Sequence, residues 1–228
     1  MLEQVESQPV LIDQVYDRLV AAISSGRLVP GEHLTQEGLA DMLGVSRQPV
    51  SHALKLLRHR GLVVERGRRG VMVAPIDRVR IRQLYEVREA LDGLSARLAA
   101  QRVRQAQASP EDVQGLNAAL AAGDALEDGA EILDGVVADV AFHRAVYTLA
   151  GNPEIETTVA EQWPQFMRSM AVVLGDETRK QRIWREHRAI VRAIINGNPG
   201  AAEKHARAHT GRAGRDAGRH MTDTSAVR

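Results

Sequence analysis

Ala40, Gly44 and Val50 constrain this chain more than any other residues. Two tightly crossing helices need a small residue at their contact, a turn free to go left-handed, and a branched apolar residue that locks the second helix onto the first. Thr35 is placed to cap a helix from about Gln36 to Leu43, with Leu39, Ala40 and Leu43 turned inward. Ser46 is placed to cap the next helix, and Pro49 falls in its first turn, where a missing N–H does no harm. Val50, Ala53, Leu54 and Leu57 give that helix one apolar face. Upstream, Ile12, Val15, Leu19 and Ile23 recur at helical spacing, so residues 11–24 read as a helix that the Gly26–Gly31 stretch stops.

Two helices joined this way make a helix-turn-helix, whose second helix enters the DNA major groove with its N-terminal residues toward the bases. The residues on that outward face are Ser46, Arg47, Gln48, Ser51, His52 and Lys55, with Thr35 counted beside them. Arginine pairs two acceptors on guanine, and glutamine pairs the donor and acceptor of adenine. Leu62-Val63-Val64 and Val71-Met72-Val73 flank Arg66-Gly67-Arg68-Arg69-Gly70, which reads as a hairpin with a basic tip. Arg66, Arg68 and Arg69 are then expected along a phosphate backbone or in the minor groove. Between Ser46 and Met72, Glu65 is the only acid among seven basic residues, although the chain's formal net charge is only +1. Such a stripe suits a polyanion. A helical hairpin with a small ribbon that binds another protein is the plainer alternative.

These segments resemble the winged helix of the GntR family of transcription regulators. The resemblance is carried by residues 24–35, by Leu39-Ala40-Asp41-Met42-Leu43-Gly44-Val45-Ser46-Arg47-Gln48-Pro49-Val50, and by Ala53-Leu54, Leu57 and Gly61-Leu62-Val63. It implies sequence-specific binding to double-stranded DNA. The family usually has Arg then Glu after the Pro-Val pair, and here Ser51 and His52 stand there. Arg47 is therefore expected to be the main reader, helped by Gln48 and His52, and the family's usual operator does not carry over.

Ala74-Pro75-Ile76-Asp77 reads as a linker, which sets an N-terminal domain at 1–75, a junction at 76–79, a second domain at 80–220 and a tail at 221–228. Helical segments are expected at about 78–107, 111–122, 130–150, 153–174, 178–196 and 200–219, punctuated by Ser109-Pro110, Gly151-Asn152-Pro153 and Gly197-Asn198-Pro199-Gly200. The fold class is thus mainly α: a winged helix-turn-helix followed by an all-α antiparallel bundle of six or seven helices. With no cysteine, the chain offers no disulfide, thiolate nucleophile or sulfur ligand. No apolar run approaches a membrane span and no export leader is evident, so a cytoplasmic protein is expected.

Four residues of the second domain share a spacing that suits a metal. Asp139 and His143 lie one helical turn apart on one face. His187 and His209 sit on successive segments, equally far from the Gly197–Gly200 turn, so an antiparallel hairpin sets them level. One carboxylate and three imidazoles suit Zn²⁺, Ni²⁺ or a similar divalent ion. Taken singly, each histidine reads as a surface or satisfied core residue sooner than as a ligand.

Residues 80–215 resemble the FCD effector domain of the FadR-type branch of the family. Leu84-Tyr85-Glu86-Val87-Arg88-Glu89-Ala90-Leu91, Asp139-Val140-Ala141-Phe142-His143-Arg144-Ala145, Ala150-Gly151-Asn152-Pro153 and Glu186-His187-Arg188-Ala189-Ile190 carry it. It implies a metal on Asp139, His143, His187 and His209, with His205 as the rival of His209, and a small organic acid as effector. Arg88 is the expected partner of that acid's carboxylate, or else an i,i+4 surface partner. Arg144, about 100° around the helix from His143, is expected to face out. The leading expectation is a homodimeric regulator, a repressor on an inverted repeat, and not an enzyme. The alternatives are a metal-dependent hydrolase, for which Glu186 is the only nearby acid, and a DNA-binding dimer with no effector.

Overall fold

The structure, a computed structural model, describes residues 9–66, 70–126 and 129–220. The chain divides into two compact units, Met1–Pro75 and Ile76–Arg228.

In the first unit, helix α1 (Pro9–Ser24) buries Val15, Leu19 and Ile23, one residue per turn. A short strand β1 (His33–Thr35) follows, then α2 (Gln36–Leu43) and α3 (Arg47–His59). The Thr35 hydroxyl accepts the Gly38 N–H at 3.0 Å and so satisfies one orphan donor of α2. Gly44 ends α2 at φ +65°, a conformation that costs an L side chain but not glycine. Ser46 stands at the head of α3 as expected, but its side chain makes no capping bond. The other face of α3 buries Pro49, Val50, Ala53, Leu54 and Leu57. β2 (Val63–Arg66) and β3 (Gly70–Val73) form an antiparallel hairpin, and β1 adds to the other edge of β3, with His33 opposite Met72. β1 is absent from the sequence expectation: three residues are too few to show alternation, although Leu34 alone points inward. Arg68 and Arg69 lie outside the described residues.

Among the described residues the second unit holds seven helices: α4 (Arg78–Arg104), α5 (Pro110–Asp124), α6 (Ile132–Ala150), α7 (Pro153–Ala160), α8 (Trp163–Leu174), α9 (Glu177–Ile195) and α10 (Pro199–His220). Arg78 and Val79, assigned to the junction, are already helical, because the Asp77 carboxylate caps α4 by accepting from the N–H groups of Val79 and Arg80. The single segment expected at 153–174 is two helices. Pro164 explains the break: it has no N–H to give, and its ring would meet the carbonyl of residue 160, so it is tolerated only in the first turn of a new helix. Contacts between α4 and α10 run in descending order, Arg97 to Glu203, Asp92 to Thr210 and Arg78 to the Gly218 carbonyl, so the two long helices are antiparallel. One core cluster gathers Tyr85, Trp163, Phe166 and Ile183, and another Phe142, Leu149, Trp184 and Ile194. No helix among the described residues is long and apolar enough to cross a membrane.

Candidate DNA-reading face and metal centre

Burial of the Val50–Leu57 stripe of α3 forces the opposite stripe outward. Ser46, Arg47, Gln48, His52 and Lys55 are exposed and Ser51 is half-buried. A groove of about 680 Å³ runs along this face, lined by Thr35, Glu37, Arg47, Ser51, Lys55 and Arg58 among others. Arg47 donates to Glu37 at 2.5 Å, with both side chains about two-thirds exposed. Arg58 bonds Glu65 and ties α3 to β2. Arg66 is exposed, with its guanidinium 3.1 Å from the Met72 sulfur. Glu37 and Arg58 were not singled out from the sequence, because their roles depend on the crossing of α2, α3 and the sheet.

In the second unit, α6 supplies Asp139 and His143, α9 His187 and α10 His209, and each offers a ligand atom within 4.8 Å of the others. All four are buried. The facing ring nitrogens of His187 and His209 are 3.2 Å apart, and Asp139 lies 3.5 Å from His187 and 3.7 Å from His143. Ligand bonds of about 2.1 Å around a tetrahedral ion set neighbouring donors about 3.4 Å apart. These three separations are therefore near the span of one ion, and the donor set of three nitrogens and one oxygen fits zinc chemistry. Burial pushes the His143 and His187 imidazoles well below their ordinary pKa, so they stay neutral, as ligands must be. Nε2 of His143 has no hydrogen-bond partner, a rare state for a buried nitrogen unless it faces an ion.

The ring orientations are fixed from behind. Nδ1 of His209 lies 2.9 Å from the Glu186 carboxylate, which leaves Nε2 as the nitrogen that faces the cluster. Phe142 stacks on His187 with ring centroids 3.8 Å apart. His143 Nδ1 sits 3.5 Å from Asp92, a residue that sequence reasoning passed over. Asp92 is buried on α4, accepts from Tyr147 and, at 2.5 Å, from Thr210, and pairs with Arg88 Nε at 3.4 Å. Its one legible signal was the four-residue spacing from Arg88, which by itself marks any surface ion pair.

Arg88 is 2% exposed. Its guanidinium lies 4.8 Å from the ring centres of both Trp163 and Phe166. Burial pushes its pKa down, but Asp92 and its other neighbours push it up further, so the group stays charged. Nη2 has no hydrogen-bond partner. The expected surface role therefore does not apply: Arg88 is an i,i+4 partner of Asp92 inside the bundle. Arg88, Asp139, His143 and His209 share the lining of a small cavity of about 20 Å³. His205 is exposed on α10, one turn before His209, and stands apart from the cluster. Arg144 is exposed and pairs with Glu156 at 3.0 Å. Glu186, the acid a hydrolase would need as its base, lies behind His209 and is held by Arg212 at 3.0 Å and Arg182 at 3.6 Å.

A winged helix-turn-helix joined to a helical bundle with a buried polar centre is the architecture of a DNA-binding transcription regulator rather than an enzyme. Residues 11–73 match the gntR family of bacterial regulatory proteins and residues 83–212 match the FCD domain. The chain belongs to the GntR family, as a member that carries an FCD domain. It is 27% identical over 198 residues to an uncharacterized HTH-type transcriptional regulator, YdhC, of Bacillus subtilis strain 168, covering 86% of each chain. It is 28% identical over 206 residues, 89% of this chain and 86% of the relative, to a protein of Paenarthrobacter nicotinovorans described as "Probable D-xylose utilization operon transcriptional repressor". The solved structure of E. coli McbR/YncC shares the fold, with a TM-score of 0.73, 19% identity, and coverage of 92% of this chain and 95% of that one.

Proposed function

We propose that this regulator is a cytoplasmic homodimeric repressor that reads an inverted-repeat operator through α3 and the wing. Its helical unit would hold one divalent ion, zinc or nickel, and a small carboxylate effector. The observation that carries the sensing half is the buried Arg88 guanidinium beside four buried ligands, with Nη2 left without a partner.

Arg47, Gln48 and His52 would meet base edges, Thr35, Ser46, Ser51 and Lys55 the backbone or neighbouring bases, and Arg66 with Arg68 and Arg69 the flanking phosphates. An ion on Asp139, His143, His187 and His209 would supply a Lewis-acidic anchor for one carboxylate oxygen. Arg88 would hold the carboxylate's second oxygen, exchanging part of its pairing with Asp92 for the ligand. Because Asp92 also touches His143, Tyr147 and Thr210, a change at Arg88 reaches α4, α6 and α10 together. The resulting shift in DNA affinity is bounded by the ligand's preference between the two arrangements.

The test is metal analysis of the purified protein, then operator binding by gel shift with zinc-loaded and stripped protein, with and without small carboxylates. Release of DNA by an acid only in the loaded form supports the proposal. Loaded protein that ignores every acid supports a second reading, favoured by the small size of the cavity, in which the ion only braces the dimerisation domain.

A further inference from the structure

The cavity between Arg88 and the histidines has a lopsided lining. Among the described residues, Arg88 is the only permanently cationic side chain on it, and Met170, Val173, Leu174 and Ile183 make most of its apolar wall. The Tyr85 hydroxyl is engaged with Ser169 at 3.1 Å, and Thr210 donates to Asp92, so neither is left to meet a second anionic group. A divalent ion and Arg88 would bring three positive charges, of which Asp139 and Asp92 offset two; behind the ligands Glu186 is balanced by Arg212 and Asp216 by Arg182. One positive charge remains.

We infer that the ligand class of this site is a monocarboxylate with a short aliphatic tail. The inference rests on the metal-and-carboxylate reading above and narrows it. A single carboxylate between Arg88 and the ion neutralises the remaining charge. A second carboxylate would be buried against Met170, Val173, Leu174 and Ile183 with no cation to pair with, which a low-dielectric wall penalises heavily. Tail length is limited by room, since about 20 Å³ accommodates a water-sized group before any side chain moves. Met170, unbranched and adaptable, is the wall residue best able to yield to such a tail.

The experiment uses the zinc-loaded full-length chain and four four-carbon acids: butyrate, 2-hydroxybutyrate, succinate and malate. Calorimetric titration and thermal shift are expected to show the two monoacids binding at least tenfold tighter than the two diacids. Ile183→Ala enlarges the wall and is expected to move the preference from butyrate toward hexanoate; Val173→Ala, a smaller deletion, makes the same check should the first variant fail to fold. Succinate or malate binding as tightly as butyrate overturns the inference, and so does an unchanged chain-length preference in a folded variant. A protein that holds zinc yet binds none of the four acids overturns the effector reading itself, a distinct result.

Discussion

An exposed arginine bonded to an exposed glutamate, as Arg47 is to Glu37, is held by roughly 1 kcal/mol or less, so the guanidinium is available to a base at little cost. Arg47→Ala is expected to weaken operator binding by about 1–3 kcal/mol and to blur preference at one base position, measured by gel shift against a mutated operator set. Unchanged affinity would remove α3 from the reading role. Asp92→Asn keeps the shape but removes the charge behind His143 and Arg88, and a loss of about 10–100-fold in zinc affinity is expected by competition with a chromophoric chelator. His209→Ala should abolish tight zinc binding, whereas His205→Ala should leave it intact; equal losses would place the ligands elsewhere on α10. The four clustered residues were legible because helical geometry turns spacing into position: one turn between Asp139 and His143, and a symmetric offset about the turn near Gly197. Asp92 and Glu186 were not legible as supports, because nothing local says which neighbouring helix a carboxylate will face.

At the level of elements, most caps and stops were legible because they are local chemistry, although Ser46, expected to cap α3, makes no capping bond. Thr35 and Gly44 act within a few residues of themselves, and so do Asn152 and Gly151 around the start of α7 and the end of α6. The break between α7 and α8 was hidden because apolar periodicity continues across it. The strand β1 was hidden because its pairing with β3 spans nearly forty residues of chain. Helix packing depends on one position that periodicity does not flag. A Cβ at Gly123, near the end of α5, would sit 1.8 Å from the Trp184 ring of α9. Gly123→Ala must displace that indole, and a loss of at least about 1–3 kcal/mol is expected in urea unfolding. Because Trp184 also meets the His187 ring edge-on at 4.8 Å, the same variant is expected to loosen zinc binding. Wild-type stability would show that α5 can shift away freely.

For the molecule as a whole, the cluster joins α6, α9 and α10, adding to their apolar packing and to the Glu186–Arg212 and Arg182–Asp216 pairs between α9 and α10. An ion that binds only the folded state stabilises it by about 2.7 kcal/mol when present at one hundred times its dissociation constant. Chelation is therefore expected to lower the melting temperature of the helical unit while leaving the winged unit's transition in place, resolved by calorimetry on the full chain. Coincident shifts of both transitions would mean that the two units unfold as one.

The bond between Arg47 and Glu37 has a further consequence for how such a protein finds its target. A regulator spends most of its time sliding over irrelevant sequence, and an unshielded arginine at the tip of α3 would grip every phosphate it passed. Glu37 offers the guanidinium a competing partner, but a bond worth about 1 kcal/mol or less trims that grip only slightly, so any preference for one sequence over another has to come from the base contacts themselves.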